Sequence, residues 1–572
     1  MQTKEDNSFK AFKILANNAI LQGYMYFFIV TALITIQVMA LLSLIFFLND
    51  TVQITQTYQY YIAMFWATRF PQHEVSFTIE PSRTLSLPAY VVADLPALKT
   101  IKDGLLARMK WEFYASFLVY PVFGWLFLRL FKKIGHQILG NKWLRGGKLR
   151  TEKELAGILQ NEHPCRIFVS KHVRIPIAKE THDIFVIGQK GAGKSVAITS
   201  MVKQILAENI GRTVIFDTKG DYTTRFYNPK TCILFDPFHD DCPGWSIFNE
   251  IDHGTHIPMI GASLIPDTAQ QTSTGSGQFF RRTARDLFMA YLSILARGGP
   301  AVRTNSELLR VMSLPFSELA TEFNETEHGR VALRELGDAE KSGQRDGILG
   351  TLGEYTSWLQ YVKNSNGQFS FRKWLNGTGH LAEKKCLILR YAPNMEEAMK
   401  PMLSLAIDLM VKELGSMDDD LNRRVPFILD EFGKLNPLPS VVDLLTGGRS
   451  KGSMVVIGIQ DFGRLDELYG EPIRKTLFNN CYTKMVLRMG DPQTAEYLST
   501  YIGDEEILEV NEGYTGGIGP THMRDGIQTS EGRTSRRLVL KEEIMRLSEL
   551  HGYLVVGQYP AAMVEIPLLK DG

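Results

Sequence analysis

Apolar residues crowd the start of the chain more densely than any later stretch. From Ile14 to Asn49 no charged residue occurs. Within it, MYFFIVTALITIQVMALLSLIFFL (Met25 to Leu48) would span about 36 Å as a helix, against about 30 Å of bilayer hydrocarbon. The run is too long for the apolar part of a cleaved signal and lacks a small-residue cleavage site, so it predicts a transmembrane helix. A second apolar stretch, FYASFLVYPVFGWLFLRLF (Phe113 to Phe131), is shorter and carries Pro121; it predicts a second span over about 111–131, with a loop over about 49–110 between the two. Directly after it Arg129, Lys132, Lys133, Lys142, Arg145, Lys148 and Arg150 stand with no acidic residue among them, and Lys4, Lys10 and Lys13 precede the first span. Basic flanks stay on the cytoplasmic side, so both termini are expected there, with the loop outside. The basic run suits lipid headgroups; DNA contact is the alternative.

Beyond residue 150 the pattern changes to short apolar runs separated by amphipathic stretches. DIFVIG, TVIFDTKGDY (Thr213 to Tyr222), CILFDPF (Cys232 to Phe238), KKCLILRYAP (Lys384 to Pro393), RRVPFILDEFGKL and GSMVVIGIQD read as buried strands, and a helix is expected from about Glu396 to Leu414. From about 244 to 374 the period is helical, as in FRRTARDLFMAYLSILA and ILGTLGEYTSWLQYVK. The expected organisation is an N-terminal membrane domain over 1–150 and an α/β domain over 151–572, interrupted by an all-α domain at about 244–374. The Gly- and Thr-rich stretch Asn511 to Arg537 reads as a surface loop.

Composition narrows this little. At 572 residues the chain exceeds a single core. A net charge of +1 gives no global basic signature, so nucleic-acid contact would rest on local charge. Five scattered cysteines (Cys165, Cys232, Cys242, Cys386, Cys481) show no zinc spacing and fit a reduced cytosolic body.

The chemistry begins at GQKGAGKS, Gly188 to Ser195, which fits G-x-x-x-x-G-K-[ST]. The bare pattern is short enough to arise by chance, but here a strand pattern precedes it and the helical SVAITSMVKQILAENI follows. Backbone N–H groups around Gly191 to Gly193 would point at phosphate, and the helix N-terminus adds partial positive charge. The expected nucleotide contacts are Gly188, Gln189, Lys190, Gly191, Ala192, Gly193, Lys194, Ser195 and Val196, with Lys194 reaching the β and γ phosphates and Ser195 ligating magnesium.

A second strand closes on Asp430 and Glu431. Paired carboxylates at a strand's C-terminal end suit magnesium, through Asp430, and activation of the attacking water, through Glu431; the alternative is a strand that ends in solvated acids. Gln460 ends a further strand and is suited to sensing the γ-phosphate. Arg449, in GGRSKG, is the first candidate for an arginine supplied to a neighbouring subunit's phosphate, with an exposed turn arginine as the alternative; Arg474 and Lys475 are weaker candidates. Asp217 and Lys219 lie at a strand end facing the same crevice, with no role assigned.

Together the membrane hairpin, LRGGKLRTEKELAGIL, GQKGAGKS, FDTKGDY, the helical insertion, ILDEFGKL, GIQDFGRLDELYGE and MRDGIQTSEGRTSRR resemble one family. It is the TraD-type coupling proteins of type IV secretion and conjugation, within the wider FtsK- and HerA-like DNA-pumping ATPases. The resemblance covers nearly the whole chain. It implies a RecA-like P-loop ATPase domain with an inserted all-helical domain behind a two-helix transmembrane hairpin, multi-pass in a bacterial inner membrane. It further implies a homo-hexamer with ATP and Mg2+ between subunits, and Arg449 and Gln460 fall at the family's trans-acting arginine and sensor positions. The implied partners are DNA, as a single strand with attached relaxase, relaxosome proteins, type IV secretion channel components and inner-membrane lipids. Many members carry a long C-terminal tail that recognises the relaxosome; here the sequence stops at Gly572, which puts tail-mediated recognition in doubt.

The function expected is an inner-membrane ATP-driven coupling protein that recruits relaxase-bound DNA, or protein substrates, to a secretion channel. An FtsK-like chromosome-partition translocase is one alternative, although no DNA-reading winged helix is visible. A nucleotide-assembled membrane scaffold with little turnover is another, and Glu431 argues against it. Lys451, Arg464 and Arg474 are guesses for DNA contact.

Overall fold

Short apolar runs pair in parallel here because both of their faces are covered. The computed structural model describes residues 19–117, 142–267, 275–342, 344–362, 367–518 and 523–568, with isolated positions at 121, 125 and 129. The chain divides into two units, Met1–Arg145 with Glu506–Ser535 and Gly146–Glu505 with Arg536–Gly572.

The second unit is built on ten strands: β1 (Arg150–Thr151), β2 (Ile184–Ile187), β3 (Thr213–Asp217), β4 (Cys232–Phe235), β5 (Cys386–Arg390), β6 (Val425–Asp430), β7 (Ser453–Ile459), β8 (Thr483–Val486), β9 (His551–Val556) and β10 (Ala562–Glu565). Their order is β1-β10-β9-β8-β2-β7-β6-β3-β5-β4. The seven from β8 to β4 run parallel, and β9 is antiparallel to both β8 and β10. Alternation divides each strand between two cores: Ile184 and Val186 face one, Phe185 and Ile187 the other. The helix Lys194–Ala207 buries Ala197, Ile198, Met201, Val202 and Ile205, a helical stripe that lays it on the sheet directly after β2.

Between β4 and β5 every described helix or strand is helical, and the longest, Gly275–Arg297, packs against Glu327–Ser342 and Arg345–Thr356. This segment shares its core with the sheet. Phe235 at the end of β4 meets Trp245, Phe369 and Phe371, and an isolated bridge joins Trp245 to Phe369. Glu250, fully buried, accepts hydrogen bonds from Trp245 Nε1 (2.8 Å), Ser370 Oγ (2.9 Å) and the Phe371 amide (2.9 Å), so one carboxylate ties the segment's entry to its exit.

In the first unit a backbone helix runs over Ala19–Leu48. It meets the helix Pro96–Ser116 through Gln37 on Ser116 and Asn49 on Glu112. Between them lie the helix Thr51–Arg69, a hairpin of Glu74–Glu80 with Arg83–Pro88, and the helix Ala89–Asp94, around Tyr60, Ala63, Val75, Ala89, Val92 and Leu98. Among the described residues no helix is long and apolar enough to cross a membrane. The side chains of 19–28 lie outside that description, as does most of the expected second span after residue 117. The stretch expected as a surface loop is different: Asp504–Ile518 and Met523–Arg537 are strands of a three-stranded sheet with Lys142–Gly146. Frequent glycines read as turn signals there, whereas the strands are made by pairing with one another.

Candidate functional site

The carboxyl ends of the parallel strands gather the expected site. The loop after β2 turns through two left-handed glycines, Gly191 (φ +80°) and Gly193 (φ +104°), where a side chain would be strained. It is anchored by the amide of Gly188 to Ile459 O (3.2 Å) and that of Gln189 to Arg488 O (2.9 Å), and closed by the Ala192 amide on Gln189 O (3.1 Å). Lys190 points to solvent, and Lys194, Ser195 and Val196 form the first turn of the following helix. The first amides of a helix have no intrahelical acceptor, so this turn offers donors to an anion.

Lys194 is only 6 % exposed. Its Nζ pairs with Asp430 Oδ1 and lies 3.4 Å from Glu431 Oε2. Tyr222 donates its hydroxyl to Asp430 Oδ2 (3.0 Å); burial and the Asp430 charge push the phenol well above its ordinary range. β7 lies between β2 and β6, so its end brings Gln460 to the same edge. Gln460 and Glu431 line one cleft of about 270 Å³ with Glu396, Lys400 and Arg464.

Glu431 itself sits at φ +79°, ψ +49°, a left-handed conformation uncommon for a residue with a Cβ. Its amide bonds Gly458 O (3.1 Å), which holds this turn against β7. Gly458 is itself required: a Cβ there would come within 2.8 Å of Asp430 Oδ1 and 2.9 Å of Ile198 Cδ1. The signal for it was present in the sequence, since an isolated glycine within a strand marks close approach.

Other expected residues fall elsewhere. Arg449 is exposed in the turn Gly448–Lys451 that precedes β7, at the opposite end of that strand from Gln460, about 20 Å away at strand rise. It cannot reach its own chain's phosphate loop. Among the described residues its guanidinium makes no hydrogen bond or ion pair. Arg474 is buried, paired with Asp466 (2.7 Å) and stacked on Phe462 and Tyr497, so it belongs to the core rather than to a neighbour's site. Lys475 is paired with Glu471 (2.7 Å). Asp217, by contrast, ends β3 next to Asp430 on β6, one residue past the Leu429–Phe216 pair, where its carboxylate accepts from the amides of Gly220 (2.8 Å) and Thr223 (2.7 Å) ahead of the helix Asp221–Phe226, while Lys219 is exposed.

Arg488 was missed in the sequence. It follows β8, its carbonyl anchors Gln189, and its Nη2 would lie 4.0 Å from a Cβ at Gly191; Glu549 holds it at 3.6 Å. Among the described residues no group of three or more His, Cys, Asp or Glu side chains could hold a metal. Ser195 in the first helical turn and Asp430 at the end of β6 are oxygen donors of the kind that magnesium accepts.

Residues 169–567 match the family described as the type IV secretion-system coupling protein DNA-binding domain. The chain belongs to that family. It is similar to the coupling protein TraD of Escherichia coli (strain K12), 26 % identical over 444 residues, covering 74 % of this chain and 60 % of that protein. It is also similar to the conjugal transfer protein TraG of Rhizobium radiobacter, 24 % identical over 206 residues, covering 35 % of this chain and 31 % of the other. The chain thus spans less than two thirds of the length of these relatives.

Among solved structures, the plasmid coupling protein TrwB with the ATP analogue ADPNP superposes with TM-score 0.63 at 24 % identity, covering 75 % of this chain and 95 % of TrwB. TrwB with ADP and Mg2+ gives TM-score 0.61 at 24 % identity, again covering 75 % and 95 %. The coupling-protein fold is therefore shared.

Proposed function

We propose that the protein is an inner-membrane ATPase that couples ATP hydrolysis to the delivery of relaxase-bound DNA into a type IV secretion channel. The observation that carries this reading is the convergence of Lys194, Asp430 and Glu431 beside the Gly191–Gly193 turn. Conjugal transfer is the task that the name of the TraG relative states for that protein, and the TraD relative is named a coupling protein.

In this reading the helix N-terminus and Lys194 bind the phosphates, with Lys194 exchanging its Asp430 partner for the nucleotide. Ser195 and Asp430 would hold magnesium, which would supply positive charge against the phosphate oxygens. Glu431 orients the attacking water and takes its proton, a role served by its fixed left-handed backbone. Gln460, across the cleft, orients the same water or senses the γ-phosphate. Arg449 serves the next subunit of a homo-hexameric ring, because its place at the far end of β7 suits only a neighbour. Tyr222 holds Asp430 on the side away from Lys194.

The uncharged helix Ala19–Leu48 and the expected second span tether the ring to the inner membrane, with both termini cytoplasmic and residues of about 49–110 outside. The Gln37–Ser116 contact gives a mid-helix polar group a partner, as a helical hairpin in lipid requires. The helical segment at about 244–374 is the surface we assign to relaxosome proteins.

DNA-stimulated ATP hydrolysis by the purified protein tests this. Lys194→Ala is expected to abolish it while membrane insertion persists; unchanged hydrolysis in that variant would remove the site assignment.

A further inference from the structure

Cys232 opens β4 and Cys386 opens β5, and they are direct partners in the parallel register. β4 leads into the helical segment and β5 receives the chain from it, so roughly 150 residues lie between the two cysteines. Register partners on adjacent strands point to one face. Both belong to the same buried layer, each 3 % exposed. Strand spacing puts their Cα atoms about 4.8 Å apart, inside the range of about 4.4–6.8 Å that a disulfide spans. Both are free thiols.

The pair also has a route to solvent. Cys232 and Cys386 line a cavity of about 830 Å³ with Lys203, Arg225, Lys230 and Lys385. Four cationic side chains stand there against one acid, Glu383, which favours an anionic visitor. The two thiols are unequal. The proximity of the two thiols draws Cys232 below the ordinary thiol range, and the same proximity with burial pushes Cys386 well up. A thiolate is the attacking form, so Cys232 is the nucleophile and Cys386 the resolving group.

We propose that Cys232 and Cys386 form a reactive dithiol that a small anionic disulfide of the glutathione class oxidises, stapling β4 to β5 at the base of the helical segment. The Cys232 thiolate attacks the glutathione disulfide, forming a mixed disulfide and releasing one glutathione thiolate. Cys386 then loses its proton and attacks Cys232 Sγ, forming the protein disulfide and expelling the second glutathione. Two protein thiols are oxidised and one glutathione disulfide is reduced to two thiols. The site lies at the amino-terminal ends of the strands, away from Lys194, and does not depend on the nucleotide reading.

The test is thiol counting on the folded full-length protein in detergent after exposure to oxidised glutathione, with peptide mapping. Of the five thiols, three are expected to remain, with Cys232 and Cys386 joined. In Cys386→Ser the expected product is a mixed glutathione disulfide trapped at Cys232. Five thiols remaining in the wild-type protein, or a disulfide joining other cysteines, would overturn the proposal.

Discussion

Lys194 and Asp430 form a buried ion pair across 236 residues of sequence, with Glu431 3.4 Å from the same ammonium. Breaking a buried pair from one side leaves an uncompensated charge, at a cost of about 3–5 kcal/mol, whereas removing both partners costs far less. A double-mutant cycle of Lys194→Met and Asp430→Asn should therefore show a coupling of more than about 1 kcal/mol in urea unfolding. Additive losses would mean that the pair is not formed in solution.

Gly458 sets the spacing between β7 and the Asp430 carboxylate. A methyl group there must displace Asp430 Oδ1, 2.8 Å away, or Ile198. Gly458→Ala is expected to cost about 1–3 kcal/mol of stability and to lower ATP hydrolysis at least about tenfold, since about 1.4 kcal/mol of lost transition-state stabilisation suffices. Wild-type turnover in this variant would show that the strand yields without moving the carboxylate.

How much of this could be read from the chain depends on how local each feature is. The phosphate loop, its strand and the Asp430–Glu431 strand end are encoded in consecutive residues, and they stand where the apolar runs place them. Asp217 stands at the strand end its apolar run implies, beside Asp430, but its bonds to the Gly220 and Thr223 amides depend on a turn that no local pattern announces. Arg474, a candidate for a neighbour's phosphate or for DNA on sequence, is enclosed by Asp466, Phe462 and Tyr497, which its own short segment does not reveal. Tyr222 and Arg488 gave no signal because their partners, Asp430 and the Gly191 turn, are distant in sequence. The strand Asp504–Ile518 was hidden by glycines, since its pairing depends on a second strand rather than on its own periodicity.

Arg449 at the far end of β7 makes a prediction about subunits. Arg449→Ala should lower hydrolysis by at least about 10²-fold, as loss of a trans-acting arginine does. Mixing Arg449→Ala with Lys194→Ala protein should restore activity above the sum of the separate preparations, because some interfaces regain one intact Lys194 and one intact Arg449. No gain on mixing, with subunit exchange verified, would place Arg449 outside the reaction.

His182 lies near Arg449 and Lys179, and burial with these two cations draws its imidazole down to about 4. Between its ordinary value near 6.5 and 4, the unfolded chain takes up a proton that the folded protein does not. Its contribution to stability is therefore present above pH 6.5 and is lost as the pH falls through about 4. For a ring only partly buried we expect a loss of about 1–2 kcal/mol. His182→Phe should flatten that part of the pH profile of urea unfolding; an unchanged slope would assign the acid sensitivity to other groups.

The central claim is that the Glu431 carboxylate activates water at an ATP site that DNA stimulates. Steady-state hydrolysis and nucleotide binding by Glu431→Gln, each with and without single-stranded DNA, address it most directly. The expected result is nucleotide binding within about threefold of wild type and turnover reduced by about 10²-fold or more at either DNA level. Turnover and DNA stimulation equal to wild type would contradict it.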